Sequence, residues 1–356
     1  MKNLIALLAL FLLFTVTGYA GITLRFVDQA RMPILGVSVT TSFVSFPPAL
    51  PASGTVTDLG NGVVTITHPC ALGSGSCCSL IQGTYSISKP GVRFSQTGGQ
   101  VPCVPGLPEV VITGTVLPDI ASVSAASYRR RLTNEMIVAA FGDGLASATE
   151  NATLPLKTTL GGKSVLIRDS RGTEKNALPL LVSPGQINYI MPSGLADGLA
   201  AILLNDESGK TINMGSAEIG KVFPGIFTAG SDGQGVPAAI ITRVKPDGSQ
   251  VVEPVAQFDE TQGKFVPIEL DLGPESEFVV LSLFGTGWRQ AVPVPGASVK
   301  IGGIDCPVEY FGKQPTIEGL DQFNARLPRT LIGRGDVRVE VIIGGEFANT
   351  VQLKFK

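Results

Sequence analysis

Histidine is almost missing from this chain. The single copy, His68, excludes a multi-histidine metal site within one chain and leaves one imidazole for any Ser-His-Asp or Cys-His mechanism. His68 lies in Thr65-Ile66-Thr67-His68-Pro69-Cys70, at the end of an apparent strand, which reads as a surface or turn residue. Charge is scarce too. Lys and Arg number 27 and Asp and Glu 29, together 16% of 356 residues, against about 25% in ordinary globular chains. A net charge of −2 gives no basic footprint for nucleic acid. No G-x-x-x-x-G-K-[ST] loop exists to cradle phosphate and no G-x-S-x-G elbow to present a nucleophile. After the first twenty residues no apolar run approaches the ~18 residues of a membrane span.

That apolar beginning reads as an export signal over residues 1–20. Lys2 supplies the positive start and Leu4 to Val16 is apolar except for Thr15. Gly18 and Ala20 place small residues at −3 and −1 of a cut before Gly21. Thirteen residues span only ~20 Å as a helix, too short for the ~30 Å hydrocarbon layer. A secreted or extracytoplasmic chain with no membrane span after cleavage is expected.

The cysteines fit that compartment. Cys70, Cys77, Cys78 and Cys103 fall within one stretch, and Cys306 stands apart. Joining the neighbours Cys77 and Cys78 would close a strained eight-membered ring. Two pairings remain open: 70–77 with 78–103, or 70–78 with 77–103. A four-cysteine zinc site would want paired C-x2-C knuckles, which this spacing lacks. Disulfides are therefore the expectation, with no metal and no cofactor. Cys306 sits in the alternation Ile304, Cys306, Val308 and reads as a buried free thiol.

What the chain has in quantity is turn residues. Its 43 glycines and 25 prolines make close to one residue in five. Between them runs period-two alternation: Ile22, Leu24 and Phe26; Val337, Val339, Val341 and Ile343 opposite Arg338 and Glu340; Val351, Leu353 and Phe355 at the end. Short strands with regular turn signals predict an all-β chain of immunoglobulin-like β-sandwich domains in tandem.

Three segments follow the signal. In 21–116 the charges are only Arg25, Asp28, Arg31, Asp58, Lys89, Arg93 and Glu109. Pro118-Asp119 reads as a linker. Segments 120–222 and 223–356 repeat each other. Phe141-Gly142-Asp143-Gly144-Leu145 matches Phe284-Gly285-Thr286-Gly287-Trp288, and Gln186-Ile187-Asn188 matches Gln322-Phe323-Asn324. A Gly-Gly pair beside a strand recurs at Gly161-Gly162 and Gly302-Gly303. So long a repeat implies a duplicated domain and not a solenoid. Leu132 to Phe141 has a helical look, but its repeat partner Phe278 to Phe284 is rich in Val, Leu and Phe, so strand is predicted for both.

Ser124-Ala125-Ala126-Ser127-Tyr128, Leu154 to Gly162, Ser183-Pro184-Gly185-Gln186-Ile187-Asn188, Phe223-Pro224-Gly225-Ile226-Phe227, Gly319 to Asn324 and Ala348-Asn349-Thr350 form an ordered series. By this series residues 120–356 resemble the Solibacter-type C-terminal domain family, exported paralogues abundant in acidobacteria. The resemblance implies a secreted or surface module and transfers no catalytic residues. Arg129-Arg130-Arg131 and Trp288 depart from its usual residues. Residues 21–116, through Val27-Asp28, Pro33-Ile34, Gly36-Val37, Thr57-Asp58 and Lys89-Pro90-Gly91, resemble the transthyretin-like regulatory domains attached to exported carboxypeptidases. That resemblance implies a small sandwich without catalysis.

Remaining motifs read as structure. Asp206-Glu207 and Asp259-Glu260 could serve a two-carboxylate hydrolase, but neighbouring carboxylates on an extended chain point apart. Asp232, Asp247 and Asp271 lack the order of a calcium loop. Gly230 to Gly235 reads as a long turn, Arg334-Gly335-Asp336 as a turn before a strand, and Leu327-Pro328-Arg329-Thr330-Leu331 as an incomplete sorting signal. Asn151-Ala152-Thr153 spells a glycosylation sequon. Gln186 with Asn188, and Gln322 with Asn324, should share a strand face, their amides satisfying backbone groups nearby or contacting a ligand. The expectation is an exported non-enzymatic scaffold, adhesion or binding module for polysaccharide or protein partners. A lectin-like protein or hydrolase, or a subunit assembled through edge strands, stands as the alternative.

Overall fold

Alternation becomes strand throughout. A computed structural model describes residues 19–29, 31–45, 54–69, 81–89, 91–102, 107–291 and 296–356. Among these the architecture is all-β, with two single-turn 3₁₀ segments and no α-helix. No helix among the described residues is long and apolar enough to cross a membrane. Most of the predicted signal, and Cys70, Cys77, Cys78 and Cys103 with their pairing, lie outside the described residues.

The chain divides into two compact units at Leu117/Pro118. In the first, one sheet orders the strands Thr55–Gly60, Val63–Pro69, Tyr19–Val27, Glu109–Val116 and Val92–Phe94. A second sheet orders Ser38–Ser45, Ile81–Ser88 and Gly98–Val101. Leu24, Phe26, Ile66 and Ile112 are fully buried in its core; Leu24 and Phe26 belong to the predicted alternation. On the outer face of the first sheet Arg25 binds Glu109 through two hydrogen bonds of 2.8 Å. The first strand begins at Tyr19, two residues ahead of the expected cut, and pairs backbone to backbone as far as Pro69.

The second unit, from Pro118, holds two hydrophobic cores. The 222/223 boundary is thus a seam inside one compact unit. Around the first core, one sheet contains in order Leu178–Val182, Gln186–Ile190, Ile137–Phe141 and Ala121–Ser124. Around the second, the corresponding order is Val308–Lys313, Asp321–Arg326, Phe278–Thr286 and Ala239–Val244. The facing sheets match as well: Arg131–Thr133, Thr211–Gly220, Gly198–Asn205, Ser164–Arg168, Glu174–Asn176 against Glu269–Leu270, Val351–Phe355, Gly335–Ile343, Ala297–Ile301, Ile304–Cys306. Both series begin with a short strand running parallel to its neighbour. Same order and same exceptional parallel pair mark one fold present twice.

The repeated motifs are the two sides of one ladder. Phe141 lies opposite Gln186 and Phe284 opposite Gln322, while Ala139 faces Asn188 and Ser282 faces Asn324. In Phe-Gly-x-Gly the last glycine has φ of 66° at Gly144 and 92° at Gly287, backbone that L side chains resist. It turns the chain so that Leu145 and Trp288 drop fully buried into their cores. The Gly-Gly pairs, by contrast, are not equivalent. Gly302-Gly303 closes the hairpin between Ala297–Ile301 and Ile304–Cys306, whereas Gly161-Gly162 turns the chain before Ser164–Arg168 begins. Two-residue turns want glycine wherever they occur, so the shared dipeptide carried no shared position. Leu132 to Phe141 is extended as predicted but broken at Asn134–Met136, where Glu135 adopts φ 59°.

Candidate functional site

The paired amides share a face, as alternation required, but they bind each other. Gln186 Nε2 donates to Asn188 Oδ1 at 2.7 Å, and Gln322 Nε2 donates to Asn324 Oδ1 at 2.9 Å. Backbone groups of a neighbouring loop were the expected partners. Two residues apart on one strand the side chains stand side by side, and the nearer partner wins. On the opposite face Ile187, Tyr189, Phe323 and Ala325 are fully buried. Burial pushes the Tyr189 hydroxyl well above the usual phenol range, and it meets Ser122 Oγ at 3.0 Å.

Most residues that carry the family resemblance converge on the seam between the two sandwiches. The Tyr128 hydroxyl donates to the Ser231 carbonyl, and Arg129 Nη1 donates to the Phe347 carbonyl at 2.8 Å. Arg131 reaches Glu346 at 3.3 Å and lies 3.8 Å over the Phe223 ring. Two of the three unusual arginines thus tie the halves together. Thr286 Oγ1, fully buried, accepts from the Ile137 amide at 2.9 Å and donates to the Gly319 carbonyl at 2.9 Å. Asn349 bonds both backbone groups of Ile226 and the Gly233 carbonyl, at 2.7 to 2.9 Å. Gly230 to Gly235 is a turn, held by Thr228 Oγ1 accepting the Asp232 and Gly233 amides. These groups satisfy one another and leave nothing for a ligand.

Two stretches of that series do not go to the seam, Ser183 to Asn188, which pairs within the first sandwich, and Leu154 to Gly162. Leu154 to Gly162 runs along a polar cleft of about 520 Å³ in the first sandwich, within the usual size of a small-ligand site. Three elements form it: the edge strand Glu150–Asn151, the segment ending in the Gly161-Gly162 turn, and the turn Asp206 to Lys210. The glycines keep its floor low. A Cβ on Gly161 would lie 3.4 Å from Glu150 Oε2, and one on Gly162 would lie 3.9 Å from Glu207 Oε2. Both turn glycines have positive φ, 55° and 68°, so a side chain there would also strain the backbone.

The adjacent carboxylates of this turn differ in their bonding. Asp206 folds back on its own loop, accepting from Ser208 Oγ at 2.6 Å and from the Ser208 and Lys210 amides at 3.0 Å. Those bonds, the Ser208 hydroxyl first, hold its carboxyl below the usual range, and the charge of Lys163 adds to this. Glu207 lines the cleft with Glu150. Glu150, Glu207 and Lys157 form no ion pair or hydrogen bond among the described residues, and all three are exposed. Asn151 and Thr153 of the sequon line the same wall. No histidine or aromatic ring contributes to it.

Two other depressions hold paired charges, though Arg31 in the first of them forms no ion pair among the described residues. The one of about 650 Å³ in the first unit is lined by the mutually paired Arg25 and Glu109. The groove of about 300 Å³ beside Phe278 is crossed by Arg326, which binds Glu309 at 2.7 Å and lies 4.4 Å over the Phe278 ring. Asp232, Asp247, Asp259 and Asp271 each cap their own turn. No group of three metal-ligating side chains occurs among the described residues. His68 is placed in the strand Val63–Pro69, paired with Ala20. Arg334-Gly335-Asp336 leads into the strand Gly335–Ile343, and Leu327 and Leu331 of the sorting-like pentapeptide are buried. Cys306 is a buried free thiol, pushed up to about 11 by burial.

No protein-family profile matches the chain, and no curated protein matches it. Among solved structures it is similar to SGBP-B of the Bacteroides ovatus mixed-linkage glucan utilization locus, solved with a mixed-linkage heptasaccharide. Identity is 12% and the TM-score 0.29; 95% of this chain and 64% of that one are covered. Bovine butyrophilin is similar at 10% identity and TM-score 0.19, over 67% of this chain and 99% of that one. The chain therefore spans about 64% of the glycan-binding structure's length. Likeness at this level stays with β-architecture and does not reach the ligand.

Proposed function

We propose that this chain is an exported, non-enzymatic binding module that holds polysaccharide in the cleft formed by Glu150, the Lys157 to Gly162 segment and Glu207. Residues 120–356 are taken as a member of the Solibacter-type family, and the motifs that carry this resemblance lie mainly at the seam. The observation that carries the binding reading is a polar cleft in which Glu150, Lys157 and Glu207 form no ion pair or hydrogen bond among the described residues. Ions and amides exposed on rigid turns are what hydroxyl-rich ligands require.

Glu150 and Glu207 beside one turn also favour a second reading, a two-carboxylate hydrolase. Glycoside cleavage needs one carboxyl kept protonated, commonly by burial. Both glutamates are exposed, which favours binding over cleavage. A glycan array probed with the full chain, followed by analysis of the bound polymer, separates the two. Binding with polymer length unchanged supports the module; release of shorter sugars supports the hydrolase; no binding to any glycan contradicts both.

A further inference from the structure

Resting on that reading, we infer that the polysaccharide is neutral, and that Glu150 and Glu207 grip it through neighbouring hydroxyls. The charges lining the cleft are the carboxylates of Glu150, Asp206 and Glu207 and the ammonium groups of Lys157 and Lys163. Asp206 accepts three hydrogen bonds from its own turn. Counted together, the lining carries three carboxylates against two ammonium groups. A uronate-bearing polymer would bring each of its charges against an excess of like charge, and like charges at close range are repelled more strongly as water leaves.

A neutral sugar meets no such cost. Each carboxylate has two oxygens and only accepts, so it can take both protons of a vicinal diol in charge-assisted hydrogen bonds. Lys157 supplies the complementary donor for a hydroxyl or ring oxygen. With no aromatic ring in the cleft, stacking adds nothing, and recognition rests on these hydroxyl contacts. The turn glycines lie beside these groups: a Cβ at 161 would crowd Val182 at 2.8 Å and Glu150, and one at 162 would touch Glu207.

The test is native electrophoresis of the full chain at low salt through gels containing a neutral glucan, a neutral galactomannan, polygalacturonate or alginate. Retardation is expected in a neutral gel and not in the uronate gels. Glu150→Gln and Glu207→Gln should each weaken neutral retention about tenfold, at unchanged melting temperature. The double variant should lose the discrimination against uronates. Retardation of the wild type only by uronates overturns this inference while leaving polysaccharide binding intact. Retardation by none of the four gels removes both.

Discussion

Single side chains decide how the second sandwich closes. Arg289 and Asp321 are both buried, with Arg289 Nε 2.7 Å from Asp321 Oδ1, and Asp321 Oδ2 accepts from the Trp288 amide at 2.9 Å. Burial raises the Asp321 carboxyl against the opposing pull of Arg289 and that amide. Removing the arginine strands a buried charge, which costs about 3–5 kcal/mol. Arg289→Met should therefore lower stability by that order at pH 7, measured by denaturant unfolding. The sign with pH follows from linkage. A carboxyl whose folded pKa lies above its unfolded value binds more protons in the folded state, so stability falls as pH rises through it. The variant's deficit relative to wild type should be largest at neutral pH and shrink toward pH 4; a deficit that grows on acidification would contradict this assignment.

At the level of strands, the duplicated ladder is the unit of design. Each copy opposes a Phe-Gly-x-Gly strand to a Gln-x-Asn strand in the same register, and each carries the same amide–amide bond. One such half-buried bond contributes about 0.5–1.5 kcal/mol. Asn188→Ala with Asn324→Ala should lower the melting temperature and leave glycan retention unchanged. Loss of retention at an unchanged melting temperature would make the amides a binding site. The strand faces were legible because alternation is a local property: Ile187 and Tyr189 inward fixes Gln186 and Asn188 outward. The amides' partner was not, since period-two spacing says which face a group is on and nothing of whom it meets there. Gly161-Gly162 and Gly302-Gly303 recur beside strands without sharing a position, as any tight turn recruits the same dipeptide.

Across the molecule, two sandwiches with separate cores share one seam. Thr286, at the variable position of Phe-Gly-x-Gly, bridges Ile137 of one half to Gly319 beside it. Its counterpart Asp143 is exposed, so duplication has left one copy of the motif for the seam. Thr286→Val leaves a buried amide and carbonyl without that bond, at about 1–3 kcal/mol each. Calorimetry should show a lower transition temperature for the variant; an unchanged one would mean the seam does not depend on it. All-β class, repeat and the free buried Cys306 could be read in order along the chain. The cleft could not, because Glu150, Lys157 and Glu207 come from an edge strand, a connecting segment and a turn that only the folded sandwich brings together. The one sequence signal was Leu154 to Gly162, whose Lys157, Thr158 and Thr159 precede the paired glycines.

The central claim is that a polysaccharide occupies that cleft. Thr159 is exposed on its wall, so Thr159→Trp fills the space without touching either core. The decisive measurement is retention of this variant beside the wild type in a gel containing whichever polysaccharide the wild type binds, with thermal melts run in parallel. The account predicts that retention is lost while the melting temperature stays within about 2 °C, as for a surface substitution. Undiminished retention of the folded variant would contradict it.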